Sequence, residues 1–334
     1  MTWLTWRQFR IHSWITVGGL AAVGVVLVIT GRSIADAYAS ANVAGCGNDC
    51  AEAFSNFLRQ AMTNTPQAVY DLTRGLMYVL PALIGIFWGA PLIARELETG
   101  THRLAWNQSI TRTRWLATKL GIIGAATVAT TGLLSLAVTT WANRIDVAAG
   151  DRIMPELFGA RGIVPIGYAI FAFMLGVTFG MLIRRTIPAM VATLAIYGAV
   201  AVSVPEWIRA HLVPAIHAMP ALDMSMLESL IWDPEAGDIY IVGSNVPENA
   251  WILSNETVTA TGQPFTSVDP QYCGPGASDE ACVEWVGTLG LRQDLIYHPA
   301  NNFWPLQWIE TGILLALATL LTGFCFWWIR RQLT

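Results

Sequence analysis

Charge is what this chain has least of. Only 13% of its 334 residues are Asp, Glu, Lys or Arg, whereas a soluble domain carries roughly 25%. Lysine is nearly missing, Lys119 being the only one. A phosphate-cradling loop of the G-x-x-x-x-G-K-[ST] type needs lysine before Ser or Thr. Lys119 is followed by Leu120, so that route to nucleotide binding is closed within this chain. Histidine is sparse too. His12, His102, His211, His217 and His298 are scattered, without the convergent spacing of three or four ligands that a zinc site requires.

The scarcity has a pattern. Cutting the sequence at every Asp, Glu, Lys, Arg and His leaves six uncharged runs of at least 18 residues, at 13–31, 75–94, 120–143, 162–183, 186–205 and 311–329. A membrane-crossing helix needs about 20 mostly apolar residues, and all six runs qualify. The expected fold class is therefore all-α polytopic, with six transmembrane helices. A soluble globular enzyme, a disordered chain and a nucleic-acid binder are excluded. The interiors of these runs hold no Asp, Glu, Lys, Arg or His. This argues against a proton-coupled carrier, which keeps such groups at membrane depth, and against an intramembrane hydrolase, which needs a base there.

Orientation follows from the bias of Lys and Arg in the connecting loops. With the amino terminus inside, the inner loops hold Arg7, Arg10, Arg95, Arg103, Arg112, Arg114, Lys119, Arg184, Arg185, Arg330 and Arg331, against only Glu96 and Glu98. Both termini are thus expected to be cytoplasmic. Trp14, Trp327 and Trp328 fall at the inner boundary, and Trp141, Trp207, Trp304 and Trp308 at the outer one, where an indole ring keeps one edge wet. A cleaved leader is the competing reading of the first run, since Arg7 and Arg10 precede it and Ala35, Ala37 and Ala39 follow. An uncleaved span is favoured, because the run is long for a leader and Trp3, Trp6 and Phe9 suit an interfacial amphipathic segment over 1–12.

Two outer loops are substantial, 32–74 and 206–310, and the second is long enough for a small extracytoplasmic subdomain. Pro205 to Arg209 reads as a helix start, with proline near its first turn. Ile239–Val242 and Thr257–Thr259 read as short strands. The cysteines fall as Cys46 with Cys50, Cys273 with Cys282, and Cys325 alone in the last span. Local pairs on an oxidising face point to disulfides Cys46–Cys50 and Cys273–Cys282, with four free thiols as the alternative. Cys325 reads as a small apolar core residue. Gly85-x-x-x-Gly89 and Gly176-x-x-x-Gly180 mark close helix–helix approach, either within one chain or at a seam between two copies.

The inner loop 95–119 is dense. It carries both inner carboxylates and a Thr-Gly-Thr turn in which Gly100 can take φ > 0 after a helix end. Leu104 and Trp106 follow, with charges on both sides. Thr111 to Lys119 opens the next helix, with Trp115 at the membrane interface. Positive-inside flanking accounts for Arg112, Arg114 and Lys119 but not for Glu96 and Glu98. An exposed apolar pair framed by charges fits a docking surface for a soluble partner.

The run from Ala94 to Leu120, ARELETGTHRLAWNQSITRTRWLATKL, resembles the loop after the second span of ABC-2 type transporter permeases, particularly actinobacterial ones. Tyr297-His298-Pro299-Ala300 followed by Phe303-Trp304-Pro305-Leu306-Gln307-Trp308-Ile309-Glu310 is similar to a second motif of those permeases. The resemblance implies that Arg95, Glu96, Glu98, Gly100 and Thr101, with Leu104 and Trp106, couple to a separate ABC ATPase subunit, Glu96 being a charge partner for a basic residue there. It offers Glu310 as an exterior gate, although a carboxylate near a helix amino terminus is also ordinary. No cofactor, metal or catalytic residue is expected in this chain; ATP and Mg belong to the partner. The assembly implied is a homodimer of the permease with two ATPase copies in a bacterial cytoplasmic membrane. It would export an apolar or amphipathic small-molecule or peptide cargo, which uncharged, aromatic- and methionine-bearing stretches such as Ile86-Phe87-Trp88 and Phe171-Ala172-Phe173-Met174 would suit, although most such aromatics face lipid or core. The rival is a membrane sensor or self-protection subunit whose outer loop binds a ligand without transport.

Overall fold

The computed structural model describes residues 2–331 except 48–49, 101–110, 223–226, 234–237, 244–246, 248, 266–268 and 274–277, with backbone alone at 2–9, 12, 64, 227–233, 238–243, 270 and 279. Among the described residues, six helical stretches are long and apolar enough to cross a membrane: Ser13–Ser40, Thr65–Glu98, Arg112–Ala149, Val164–Ile183, Thr186–His211 and Ala300–Arg331. They coincide with the six uncharged runs, and most extend well beyond them. The chain divides into two compact units, Met1–Leu212 with Trp304–Thr334, and Val213–Phe303.

In the first unit the helices are α1 (Thr2–Ser40), α2 (Ala51–Ala61), α3 (Asn64–Ile84), α4 (Ala90–Glu98), α5 (Arg112–Ala149), α6 (Pro155–Phe158), α7 (Val164–Ile183), α8 (Thr186–Ser203) and, at the end of the chain, a long helix Phe303–Arg331. The second span consists of α3 and α4 joined by a widened π turn at Gly85–Gly89. Such a turn disturbs the hydrogen-bond ladder locally, and here it follows Pro81 by one turn. The fourth span, α7, is the axis of the bundle. Its apolar window is 72% buried, against 11% for the first span, and it packs on α3, α4, α5 and α8.

What lets α7 approach so closely is glycine. A Cβ at Gly85 would lie 2.7 Å from the Ala172 carbonyl oxygen, and one at Gly180 2.5 Å from that of Ala90; a Cβ at Gly176 would run into the Gly85 carbonyl. The two GxxxG stretches therefore face each other inside one chain. Within lipid, where helices gain little from hydrophobic exclusion, this backbone contact supplies dispersion that a larger side chain would forfeit. It also means that neither stretch is free to form a seam between copies. Ile84, Ile93, Trp115, Leu116, Phe173, Met181, Cys325 and Ile329 close the core at one end of the bundle. At the other end, α2 packs Phe57 and Ala61 against Ile34, Tyr70, Ala142 and Ile145. Cys46 and Cys50 are joined in the connection that leads into α2.

Two local expectations are corrected. Pro205 does not open a new helix. The fifth span continues through it, as a π turn over Val204–Ile208 and a 3-10 turn over Arg209–His211. Proline has no N–H to lose and sits at the first turn of the widened segment, so the chain need not break there. Trp115 is not an interfacial ring either. It is 2% exposed, packed in the core beneath the Lys119 ammonium, which lies 4.8 Å from its ring centre.

The second unit is α+β. Strands β1 (Ile216–Ala218), β2 (Leu227–Asp233), β3 (Asp238–Gly243), β4 (Trp251–Val258) and β5 (Arg292–His298) form two antiparallel sheets, β1-β5-β4 and the hairpin β2-β3. β5 is central, with Ile216 opposite Tyr297 and Trp251 opposite His298. Beside it, α9 (Pro270–Cys273) and α10 (Asp279–Thr288) are tied by Cys273–Cys282. Cys282, Val286 and Leu291 form a small core there, and Tyr272 stacks on Trp285 at 5.6 Å.

Candidate functional site

The segment 95–119, expected from the sequence to meet a partner, begins in the last turn of α4. Thr99 caps the helix, its N–H on the Arg95 carbonyl and its hydroxyl 2.8 Å from the same oxygen. Gly100 then turns left-handed at φ 72°, a conformation that a Cβ disfavours. Arg95 projects outward, exposed. Thr101, Leu104 and Trp106 lie outside the described residues. Thr111 precedes the next helix, and its hydroxyl accepts the Arg114 N–H and caps α5.

Both glutamates of this segment have partners within the chain. Glu96 holds Lys119 at 2.6 Å, with side chains 15% and 5% exposed, and the same ammonium donates to the Leu92 carbonyl at 3.3 Å. Glu98 accepts the Thr186 N–H at 3.1 Å and its hydroxyl at 2.8 Å. It thereby caps α8, whose own N-cap residue Arg185 makes no side-chain cap. The carboxylate that the sequence offers to a partner's cation thus already has a cation in Lys119.

At the opposite end lies a polar layer that the charge-cut runs concealed. α5 has 38 residues and is about 57 Å long at 1.5 Å per residue, well beyond the roughly 30 Å of hydrocarbon. Lys119 sits near one end and Asp146 near the other. Asp146 holds Arg161 through Nε at 2.7 Å and Nη2 at 3.2 Å and accepts the Tyr70 hydroxyl at 2.7 Å. Burial alone would lower the Arg161 pKa; the Asp146 hydrogen bond and charge more than reverse it, so the guanidinium is held above its ordinary value. Glu310 repeats the arrangement. It takes Arg209 through Nε at 2.7 Å and Nη2 at 3.0 Å and accepts the Tyr168 hydroxyl at 3.0 Å. Glu310 is 1% exposed and Arg209 is fully buried, so the carboxylate offered as a gate is an enclosed ion pair.

Gln307 is one turn before Glu310. Its oxygen accepts the N–H groups of Ile163 and Val164 at 2.9 and 3.0 Å, and its amide nitrogen donates to Phe158 and Arg161 at 3.1 Å each. Tyr78 and Arg209 both donate to the Pro155 carbonyl. The buried connection 155–163 is thereby held by the second, third, fifth and sixth spans. Sequence reasoning singled out Gln307 and Glu310 by motif but missed Lys119 as a partner, and with it Asp146, Arg161, Arg209, Tyr70 and Tyr168. Nothing in a single sequence pairs residues so far apart. The only signal was that each charge lies within a turn or two of an uncharged run.

Between α5, α7 and the last helix lies an apolar groove of about 340 Å³, lined by Gly121, Gly124, Phe173, Met174, Leu315 and Ala318 among others. Comparison with curated proteins and with solved structures gives no match. Residues 17–209, more than half of the chain, match the ABC-2 membrane transporter related family. With six membrane-length helices and this match, the chain belongs to that family, as a permease subunit whose partner is an ABC ATPase.

Proposed function

We propose that this chain is the membrane half of an ATP-driven exporter: two copies pair with two ATPase subunits, which bind ATP and Mg, and move an apolar or amphipathic compound outward across a bacterial cytoplasmic membrane. The observation that carries the reading is the family match over residues 17–209, taken with the turn at Glu98–Gly100 that ends α4. Both termini and that segment are cytoplasmic in this reading, and the 206–310 region is outside, as the arginine bias supports. The wall of Phe173 and Met174 in the groove favours an apolar cargo. Export rather than import rests on the motif resemblance. Because the GxxxG stretches are spent within the chain, pairing of two copies uses another of the exposed helix faces.

A second reading has its own observation. Residues Val213–Phe303 form a compact disulfide-bearing unit, which suits ligand sensing or self-protection without transport. One experiment separates the two. The tagged chain is co-expressed with the ABC ATPase subunit encoded nearest to it, purified, and assayed for MgATP hydrolysis. An exporter recovers the ATPase in a two-to-two complex whose turnover exceeds that of the free ATPase. A homogeneous permease with no hydrolysing partner would sink the transport reading.

A further inference from the structure

The last turn of α4 places two carboxylates two residues apart. Neighbours at that spacing point to different sides of a helix, and here they address two different spans. Glu96 turns to α5 and Glu98 to the amino terminus of α8. A glutamate that docks a soluble partner must offer its oxygens to water beforehand. The Glu96–Lys119 pair is shielded instead, at 15% and 5% exposure, and Lys119 is fixed from two further sides, by the Leu92 carbonyl and by the Trp115 ring. Glu98 is exposed, yet its Oε2 takes the first N–H of α8 together with the Thr186 hydroxyl. This is the work of an N-cap supplied from another helix. Arg95, also exposed, is the cation of this turn that faces outward.

Resting on the reading that an ATPase engages this segment, we propose that Glu96 and Glu98 are its output rather than its docking contacts. The partner seats on outward residues of the turn, Arg95 among them. Its displacement then reaches the third span through Glu96–Lys119 and the fifth through Glu98–Thr186. Lys119 and Thr186 are accordingly positioning residues of the transport cycle. The single lysine of the chain stands where the moving segment meets the 38-residue helix α5.

The test uses the full chain co-expressed with the ABC ATPase subunit encoded nearest to it. Recovery of the ATPase on the tagged permease and permease-dependent MgATP turnover are measured side by side. E96Q, E98Q and K119E each retain stoichiometric recovery and lose about tenfold or more in turnover, while the exchange E96K/K119E returns turnover to within about threefold of the parent, as a pairwise interaction requires. R95E, by contrast, loses recovery. Loss of recovery in E96Q or E98Q overturns the proposal; so does full turnover in them, and so does an exchange variant that recovers the ATPase but is as impaired as its single parents. If the exchange variant does not fold, E96Q and E98Q decide alone, since each keeps a hydrogen-bonding amide in place. A parent chain that recovers no ATPase fails the exporter reading itself, which is a different outcome.

Discussion

Arg209 and Glu310 lie 101 residues apart in sequence and meet in a two-pronged ion pair, Nε to Oε2 at 2.7 Å and Nη2 to Oε1 at 3.0 Å. The Arg209 guanidinium also stacks 4.4 Å from the Phe158 ring centre. The pair locks the end of the fifth span to the start of the sixth, across the connection 155–163. Breaking an enclosed pair by removing one partner leaves the other charge uncompensated, at about 3–5 kcal/mol. Replacing both by apolar groups of similar volume is often neutral. Thermal unfolding of purified protein in detergent should therefore show a large fall in midpoint for Glu310→Gln and for Arg209→Met, with most of it recovered in Arg209→Met/Glu310→Leu. An unchanged midpoint in Glu310→Gln would mean that the carboxylate is not held as described.

Gly176 gives a test of packing against pairing. A Cβ there meets the backbone of Gly85 and, at 2.8 Å, the Ala90 nitrogen. Neither can move without displacing the second span. Gly176→Ala should cost about 1–3 kcal/mol by overpacking, seen as a lower midpoint. Gly121, with nothing within 4 Å of its ideal Cβ, is the control: Gly121→Ala should be neutral or gain up to about 0.5–1 kcal/mol from helix propensity. If Gly176→Ala instead left a well-folded protein that had lost only its oligomeric state, the stretch would belong to a seam between copies.

Six spans, the Gly100 turn, the strand around Ile239–Val242 and both cysteine pairings were legible, because each depends on local composition or on residues near in sequence. The buried ion pairs were not. Cutting at charges assigns every charge to a loop by construction, so Lys119, Asp146, Arg209 and Glu310 were all placed outside the spans. The helices extend past those cuts because a neighbour neutralises each charge, which spares the helix the cost of carrying it unpaired. Glu96 shows the same limit from another side: its charge read as surplus to the positive-inside pattern, although it has a partner 23 residues further on. Pro205 misled because proline is as acceptable at a widened turn as at a helix start.

Asp151 makes stability depend on pH. Partial burial first, then the neighbouring Glu156 and Asp146 charges, raise its pKa above the ordinary carboxylate value. A carboxyl group whose folded pKa exceeds its unfolded one stabilises the fold while protonated. That contribution is lost as pH rises from the unfolded value through the raised one. Asp151→Asn removes the loss without removing the side chain. The midpoint difference between Asp151→Asn and the parent should therefore grow in favour of the variant between about pH 4 and pH 7. A difference that stays flat across that range would show that Asp151 titrates as it does in the unfolded chain.

The cysteines test the fold and the orientation together. Cys325 is buried and unpaired, with its Sγ 3.4 Å from the Thr178 hydroxyl, while the other four are bonded as Cys46–Cys50 and Cys273–Cys282. Maleimide labelling of purified protein should thus count no thiol in the native state, one after denaturation, and five after denaturation with reductant. Loop closure gives the 273–282 bridge a worth of about 3 kcal/mol and the 46–50 bridge about 2 kcal/mol, so reductant should lower the unfolding midpoint of the second unit. Both bridges fall in the connections that the arginine bias places outside, where disulfides persist. Trapping thiols in intact cells at lysis should therefore find both pairs already oxidised. If both were found reduced in cells, the orientation would have to be reversed, and with it the assignment of the 95–119 segment to the side where ATP is available.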